Sequence, residues 1–383
     1  MTEAAVAFEV LARCGAARRG RLATPHGVIE TPAFMPVGTL GAVKGLAPQS
    51  LEDLGAEVML ANLYHLSLRP GVEVIAELGG IHRFTAWERP ILTDSGGYQV
   101  FSLAHRNRID DGGVTFKSHL DGARVRFTPE RVVAMQARLG VDVAMVLDEC
   151  PPWPVDETTA TEAWRRTLGW AESALAEAAR VRPAGGPRGA AGEGGDGGDG
   201  GEALPWRGAL FGIAQGSTFE DLRLQAAAEL SALPFDGFAI GGVSVGEPGE
   251  LRRAVVEWTA PALPADRPRY LMGVGTPEDL RHAVSHGVDL FDCVLPARNA
   301  RHGTLYTREG TINIKNARFR GDDRPVQEGC ECPCCRRVSR AFVHHLVRAG
   351  EWTGGVLATL HNLRFYLDFM ADLRQAIALG TLE

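Results

Sequence analysis

Three aspartates and one glutamine of this 383-residue chain each stand directly after a short apolar run. They are Asp94, Asp148, Gln215 and Asp292. A carboxylate beside an apolar strand costs free energy unless it has a partner or a chemical role. Carboxyl groups brought together in this way can supply a nucleophile and a general acid/base. The competing interpretation is that turns are polar in any case, which explains this set less well than it would explain glycine or asparagine.

The segment 287–303, GVDLFDCVLPARNARHG, joins the last of these acids to two arginines. We expect a buried strand that runs up to the proline, interrupted by Asp289 and Asp292, and then a loop carrying Arg298 and Arg301. An acid beside a cationic loop suggests a nucleophile or base next to a phosphate-bearing substrate. The alternative is a structural aspartate that caps a turn, with arginines on a solvated surface. Because Asp289 lies deeper in the strand, we expect it to be structural.

Four of the seven cysteines lie within residues 330–335, and the other three are far apart. The candidate metal ligands are Cys330, Cys332, Cys335 and, downstream, His361. Three thiolates and an imidazole suit a tetrahedral zinc ion with no open position, so we expect a structural site. His344 and His345 are alternative fourth ligands, and Cys334 is an alternative thiolate. This cysteine usage indicates a reducing compartment rather than a disulfide framework.

The charge of the chain is unevenly distributed. Residues 298–348 contain eleven Lys or Arg and five acids, a net +6, whereas the whole chain carries −7. This asymmetry indicates a local patch that faces phosphates, although a solvated charged surface is the alternative. No apolar run of 18 residues and no signal-peptide pattern is present. We therefore expect a cytoplasmic protein without a membrane partner.

Eight short apolar runs, each followed by a polar residue or glycine, divide the chain. They are residues 33–35, 57–61, 90–93, 143–147, 210–214, 238–240, 270–272 and 289–291. Helical patterns lie between most of them, including 156–181 and 219–233, and Thr-Pro-Glu at 128–130 and 276–278 begins two more. This alternation predicts a (β/α)8 TIM barrel with its chemistry at the carboxyl ends of the strands. A doubly wound open sheet is the runner-up, but no GxGxxG motif follows the first strand.

Two segments fall outside the barrel pattern. Residues 183–202 are glycine-rich and of low complexity, so we expect a disordered loop. Residues 304–352 form an insertion between the eighth strand and the last helix, and contain the cysteines. The predicted organisation is therefore a barrel at 1–303, a zinc-binding insertion at 304–352, and a final barrel helix at 353–383 that carries the fourth ligand.

Nine longer motifs follow one another along the chain. They are TPAFMPVGT at 31–39, TDSGGYQVFSL at 93–103, HLDG at 119–122, LDEC at 147–150, FGIAQG at 211–216, GGVSVGE at 241–247, YLMGVGTPEDL at 270–280, FDCVLPARNARHG at 291–303, and CxCxxC with His361. In this order they resemble the tRNA-guanine transglycosylases, the bacterial queuine tRNA-ribosyltransferases. The resemblance covers residues 31 to about 370 apart from the glycine-rich segment.

The resemblance implies an enzyme that replaces the wobble guanine, position 34, of GUN anticodons in the tRNAs for Asp, Asn, His and Tyr. It implies Asp292 as the nucleophile of a covalent ribosyl intermediate and Asp94 as the general acid/base. Residues implied in binding the base are Ser95, Tyr98, Asp148, Gln215, Gly241, Gly242, Val243 and Met272. It also implies phosphate contacts from Arg298 and Arg301, one structural zinc ion per chain on the four ligands above, and a homodimer.

Two positions point to a branch of the family. Val245 in GGVSVGE and Cys150 after LDE match the bacterial pattern, which implies 7-aminomethyl-7-deazaguanine (preQ1), or guanine itself, as the incoming base in queuosine synthesis. Leu63, His302 and Cys334 depart from the usual residues, but none belongs to the implied nucleophile or base-recognition set.

Two other classes of function remain to be weighed. A catalytically silent tRNA-binding paralogue would not need both Asp94 and Asp292. A metal-dependent barrel hydrolase would need histidine ligands at the strand ends, where His65 is the only candidate, and the cysteines lie outside the barrel.

Overall fold

A computed structural model describes residues 6–97, 107–182 and 205–382 of the chain. The predicted base-sandwiching residue Tyr98 and the glycine-rich segment 183–202 lie outside these ranges, so their predictions stay untested. Within the described ranges, no helix is both long enough and apolar enough to cross a membrane.

Eight parallel strands form a barrel at the centre of the molecule. They are β1 (Ala33–Met35), β2 (Met59–Asn62), β3 (Ile91–Asp94), β4 (Val143–Met145), β5 (Ala209–Ala214), β6 (Gly237–Ile240), β7 (Arg269–Leu271) and β8 (Leu290–Asp292). Each strand pairs with the next, and β8 pairs with β1. The ring closes between β1 and β2 through a bridge from Val37 to Leu60, where Gly38 N–H also donates to the Leu60 carbonyl at 2.7 Å. The predicted TIM barrel is confirmed, and the open sheet is wrong.

The strands were visible in the sequence because both faces of each are covered. Every residue of β5 is buried, between the barrel interior and the surrounding helices, which leaves a continuous apolar run rather than an alternating one. The helices are Pro48–Asp53, Leu63–Leu68, Val72–Glu77, Gly80–Thr85, Pro129–Leu139, Glu157–Val181, Glu220–Ser231, Gly249–Ala262, Pro277–Ser285, Leu295–Arg301, Pro333–Arg337, Arg340–Ala349 and Trp352–Leu379, with a 3-10 turn at Ala317–Phe319.

The predicted helix starts are confirmed by their caps. The hydroxyl of Thr128 accepts from Arg131 N–H at 3.2 Å, and that of Thr276 accepts from Asp279 N–H at 3.2 Å. A proline follows each threonine at the start of the helix. Proline lacks a backbone N–H, but at this position an N–H would have no acceptor within the helix. These two caps fix where the helices after β3 and β7 begin.

Three antiparallel elements were not predicted. They are a sheet of Ala7–Cys14, Ala17–Thr24 and Gly27–Thr31, a sheet of Asn107–Asp110, Gly113–Lys117 and Arg124–Phe127, and a hairpin of Thr304–Thr307 and Gly310–Asn313. Ala7–Cys14 alternates between exposed and half-buried positions, and Gly310–Asn313 has no buried residue, so neither strand leaves a continuous apolar run.

The eighth strand ends earlier than predicted. It stops at Asp292, and Leu295–Arg301 is a short helix with Pro296 in its first turn. The expected strand extension and the expected arginine loop are therefore both wrong. The apolar stretch continues past the end of the strand to the start of the helix, where Val294 is 44% exposed. Arg298 and Arg301 project from a helix, which fixes their spacing.

Asp289 is structural, as expected, because it is buried in an ion pair at the amino end of β8. Arg18, from the N-terminal sheet, donates to both carboxylate oxygens of Asp289, one of them at 2.9 Å from Nε. The backbone N–H of Arg269 donates to the same carboxylate at 2.7 Å. Arg18 also donates to the carbonyls of Ala265 and Arg267, at 2.9 and 2.6 Å. This pair attaches the N-terminal sheet to the barrel.

We predict that Arg18→Met destabilises the fold strongly, because it leaves the Asp289 carboxylate buried without its counter-ion. Removing one partner of a buried pair costs about 3–5 kcal/mol, which should appear as a clear drop in the thermal unfolding midpoint. Arg21→Met, on the same strand but in an exposed pair with Glu30, serves as the matched control and should leave the midpoint nearly unchanged. Equal midpoints for the two variants would contradict this account of the pair.

Candidate active site and metal centre

The barrel brings most of the predicted site residues to one mouth. Asp94 and Asp292 end β3 and β8, Gln215 follows β5, Gly241 and Gly242 follow β6, Met272 follows β7, and Asp148 lies three residues after β4. Because parallel strands of one barrel all end on the same face, these residues line a common opening. Arg298 and Arg301 lie on the short helix after β8, so they flank the same opening.

Asp292 is held by two donors on one oxygen. Its Oδ1 accepts from the Tyr270 hydroxyl at 2.6 Å and from the Gly273 N–H at 2.8 Å. Burial raises the pKa of Asp292, and the two hydrogen bonds oppose that shift because they stabilise the ionised form. No residue of the described ranges donates a hydrogen bond to its second oxygen. An oriented carboxylate of this kind is suited to attack a carbon that develops positive charge.

Asp94 has a different environment. Burial raises its pKa to about 7, against hydrogen bonds from the N–H groups of Gly96 and Leu63, while the charge of Asp292 raises it further. The Asn62 amide also donates to Asp94, at 2.5 Å. A carboxyl group with a pKa near 7 can give up and take back a proton at neutral pH, which is what a general acid/base requires.

Asp148 and Gln215 contact each other directly. The Gln215 amide nitrogen donates to Asp148 Oδ2 at 2.6 Å, and Ser95 also donates a hydrogen bond to this carboxylate. Burial raises the pKa of Asp148 to about 6, although both donors lower it. The carbonyl oxygen of Gln215 is buried and has no donor among the described residues. The pair therefore presents acceptors to a planar ligand that carries N–H groups.

The two glycines after β6 are required by the Gln215 side chain. A Cβ at Gly241 would lie 2.7 Å from the Gln215 amide nitrogen, and a Cβ at Gly242 would lie 2.3 Å from its oxygen. Gly242 also has φ +69, a conformation that favours glycine. Val243 is buried beside this turn, and Met272 is half-buried after β7.

Three residues that support the site were not among the predicted site residues. Asn62 ends β2, where a polar residue is common, and nothing in the sequence distinguishes Tyr270 from the rest of its strand. Arg223 lies on the buried face of helix Glu220–Ser231, where its guanidinium donates to the Gly241 carbonyl at 2.8 Å and to the Ser217 carbonyl at 2.7 Å. A charged residue on the apolar face of a helix was the signal that could have found it.

The structure also brings the four candidate metal ligands together. The sulfur atoms of Cys330, Cys332 and Cys335 lie 3.8, 3.8 and 3.3 Å from Nδ1 of His361. Thiolate and imidazole ligands of one tetrahedral zinc ion are about 3.6 Å apart, so the set fits such an ion. Nε2 of His361 lies 2.7 Å from the Tyr306 carbonyl, which leaves Nδ1 free to bind.

The alternative ligands are excluded from this cluster. Cys334 is buried but does not belong to the group of four. Nδ1 of His344 lies 2.7 Å from the Ile314 carbonyl instead. In the described part of the chain, no cluster able to hold a metal includes Asp94, Asp148 or Asp292.

Comparison with known proteins agrees with the site. A family profile described as queuine tRNA-ribosyltransferase matches residues 14–383. The chain belongs to the queuine tRNA-ribosyltransferase family. It is 51% identical to the queuine tRNA-ribosyltransferase of Aromatoleum aromaticum, over 98% of this chain and 95% of the relative. The protein of the same name from Thermus thermophilus is 51% identical, over 97% and 90%. Membership of the family confirms the resemblance read from the nine motifs.

We predict that Cys335→Ser removes a stoichiometric metal ion from this member of the family and lowers its thermal midpoint, because a structural ion contributes its binding free energy to folding. Metal content by mass spectrometry and a melting curve measure the two effects. Cys334→Ser is the matched control, since it changes the neighbouring buried thiol that lies outside the cluster. Loss of the metal from Cys334→Ser and its retention in Cys335→Ser would reassign the ligands.

Proposed function

We propose that this chain exchanges the guanine at the wobble position of tRNAs with GUN anticodons for preQ1, by double displacement through a ribosyl ester of Asp292. Family membership supports the tRNA and the base exchange. The observation that carries the mechanism is the pair of carboxyl groups at one mouth, one oriented by two donors and the other with a pKa near 7.

In the first step the free oxygen of Asp292 attacks C1′ of the target ribose. The bond between C1′ and N9 of guanine breaks, and its electron pair goes to the base. Asp94, protonated below about pH 7, gives its proton to the departing guanine. The target base must leave the anticodon stack to reach the barrel mouth, which a single-stranded loop permits at low cost.

The second step reverses the first with a different base. Ionised Asp94 removes a proton from the five-membered ring of preQ1, and the nitrogen left with a lone pair attacks C1′. The ester bond to Asp292 breaks, and the carboxylate returns to Tyr270 and Gly273. Each carboxyl group ends in the protonation state in which it began, so the cycle needs no external acid or base.

The base is recognised by an exchange of hydrogen bonds. Guanine and preQ1 both present a ring N–H and an exocyclic amine, which suit the two acceptor oxygens of Asp148. To bind them, the bond from Gln215 to Asp148 has to be given up, and the amide of Gln215 then turns to the carbonyl oxygen of the base. The close approach of Gly241 and Gly242 holds that amide against the turn.

The preference for preQ1 rests on the loop after β6. The carboxylate of Glu247 accepts from the N–H groups of Ser244 and Val245 at 2.7 and 2.9 Å, and it is buried. This contact holds Val245 in place as a wall of the pocket. A branched side chain here would leave room for an aminomethyl group but not for a bulky ring, which supports the bacterial substrate.

The remaining proposals concern the tRNA, the metal and the assembly. Exposed Arg298 and Arg301 contact tRNA phosphates together with the basic segment 298–348. The ion on the four ligands is zinc and structural, and it organises residues 304–352 as an insertion, with 353–383 as the last barrel helix and 1–303 as the barrel. We propose a homodimer, and a tRNA substrate together with seven unpaired cysteines supports a cytoplasmic location.

We predict that Asp292→Asn abolishes incorporation of labelled guanine into unmodified tRNA but preserves tRNA binding, because the amide cannot form the ester. The wild-type protein should also give a covalent tRNA adduct on a denaturing gel, which this variant should not. Asp266→Asn, at an exposed position, is the control. Exchange that persists in Asp292→Asn would reassign the nucleophile, and wild-type protein that binds tRNA without exchange would favour the silent paralogue.

We predict that Tyr270→Phe shifts the acidic limb of the pH–rate profile to higher pH. Removing the hydroxyl raises the pKa of Asp292, so a higher pH is needed to ionise the nucleophile. A hydrogen bond to a charged group is worth about 1.5–3 kcal/mol, or roughly one to two pH units. The alkaline limb, set by Asp94 near pH 7, should stay in place.

Single-turnover rates of adduct formation between pH 4 and 9 measure both limbs. Tyr306→Phe is the matched control, because its hydroxyl accepts from Asn299 rather than contacting the nucleophile. A shift of the alkaline limb alone in Tyr270→Phe would contradict the assignment of the two carboxyl groups.

A further inference from the structure

A second cluster of metal-binding side chains lies on the outer helices, away from the barrel mouth and the cysteines. It consists of Glu257, on helix Gly249–Ala262, with His282 and His286, on and just after helix Pro277–Ser285. One donor atom from each residue lies within 4.8 Å of the other two. The base-exchange reaction proposed above uses none of the three.

The spacing of the histidines places both rings on one side of their helix. Residues four apart are neighbours on a helix surface, and the two ring centroids are 4.4 Å apart with planes tilted by 41°. The adjacent helix supplies the carboxylate. Two imidazoles from one helix and an acid from the next can supply three ligands of a tetrahedral ion, and because the Glu257 side chain is half exposed, water can supply the fourth.

The contact between His282 and Glu257 is longer than most hydrogen bonds and close to the spacing of two ligands around one metal ion. Nε2 of His282 lies 3.3 Å from Oε1 of Glu257. That nitrogen is buried and makes no hydrogen bond within the described residues. Nitrogen and oxygen ligands of one tetrahedral zinc ion are about 3.4 Å apart. An ion between the two atoms would satisfy a nitrogen that the protein leaves unpaired.

His286 is oriented as metal-binding histidines usually are. Its Nδ1 lies 2.8 Å from the His282 carbonyl, and because a carbonyl only accepts, Nδ1 must carry the proton. The lone pair is therefore on Nε2. A ring fixed through one nitrogen by a backbone carbonyl, with the other nitrogen free, is the arrangement that supports ligation. The nearby Arg253 is held by Asp279 and Glu278, at 2.9 and 2.8 Å, which balances its charge.

Another cluster of two histidines and one carboxylate lies elsewhere in the molecule, and its carboxylate is already fully hydrogen-bonded. Asp142 lies with His26 and His82, at 3.0 and 2.9 Å, and also accepts from the backbone N–H groups of His26 and Ile91. Its four lone-pair positions are thereby used. The two rings are stacked 3.5 Å apart at 14°, and both already contact the carboxylate at hydrogen-bond distance. The Asp142 group is therefore a closed hydrogen-bonded cluster, whereas the Glu257 group is open.

We propose that Glu257, His282 and His286 bind a divalent transition-metal ion, in addition to the ion expected at the cysteines. Two imidazoles and a carboxylate favour zinc, cobalt, nickel or copper over magnesium or calcium, which prefer oxygen ligands alone. The ion would cross-link the helix that follows β6 to the helix that follows β7.

Cobalt distinguishes the two sites by its spectrum. Tag-free protein with its cysteine site filled with zinc is titrated with Co²⁺ and followed by absorption and calorimetry. We expect a further equivalent to bind with visible d–d bands but without the near-ultraviolet sulfur-to-cobalt band that thiolate ligation would produce. Co²⁺ should also raise the thermal midpoint, because it binds the folded state.

Glu257→Gln and His286→Gln should each weaken this binding by at least about tenfold, as loss of a ligand requires. The exposed Glu257 makes the first variant safe for folding, and melting curves without cobalt check both. His26→Gln, which removes an imidazole from the closed cluster, should bind cobalt as the wild type does. Absence of the further equivalent in the wild type, an unchanged affinity in both variants, or a loss confined to His26→Gln would each overturn the proposal.

Discussion

Two acids three residues apart lie at opposite ends of strand β8, and their different environments are the constraint on which the site depends. Asp289, directly before the strand, is neutralised by Arg18 and fully buried. Asp292, the last residue of the strand, is held by a hydroxyl and a backbone N–H, and no cation among the described residues pairs with it. An ion pair at the mouth would fix the charge of Asp292 and occupy its oxygens. The two neutral donors orient the carboxylate and leave one oxygen available.

The two carboxyl groups at the barrel mouth also differ in their surroundings. Asp94 and Asp292 are close enough for the charge of one to raise the pKa of the other. The charge of Asp292 thus disfavours ionisation of Asp94. Burial is the largest cause of the raised pKa of both groups. The proposed assignment of nucleophile and acid rests on which donors surround each group, and not on the residue type, which is the same.

Much of this could be predicted from sequence, for a physical reason. Strands covered on both faces leave continuous apolar runs, and all eight predicted runs overlap barrel strands. The spacing of the cysteines predicted the metal-ligand cluster, because ligands that are close together in the sequence can be recognised without knowing the fold. Contacts that depend on strand register were not visible. Tyr270 reaches Asp292 because β7 pairs with β8, with Tyr270 opposite Leu290. Arg18 reaches Asp289 across more than half of the chain.

The bond between Gln215 and Asp148 bears on how the proposed reaction selects its base. In the folded chain the Gln215 amide satisfies a carboxylate that is 4% exposed, so binding any base first breaks a good hydrogen bond. Guanine and preQ1 replace that bond with two donors. Adenine presents a lone pair where guanine has its ring N–H, so it would set two acceptors against each other in a buried site. Leaving buried polar groups unpaired costs about 1–3 kcal/mol for each group. Breaking the internal bond lowers the affinity for either base by the same amount, so it does not itself discriminate. The proposed rejection of adenine therefore comes from the bonds that replace the internal one, which guanine can form with Asp148 and adenine cannot.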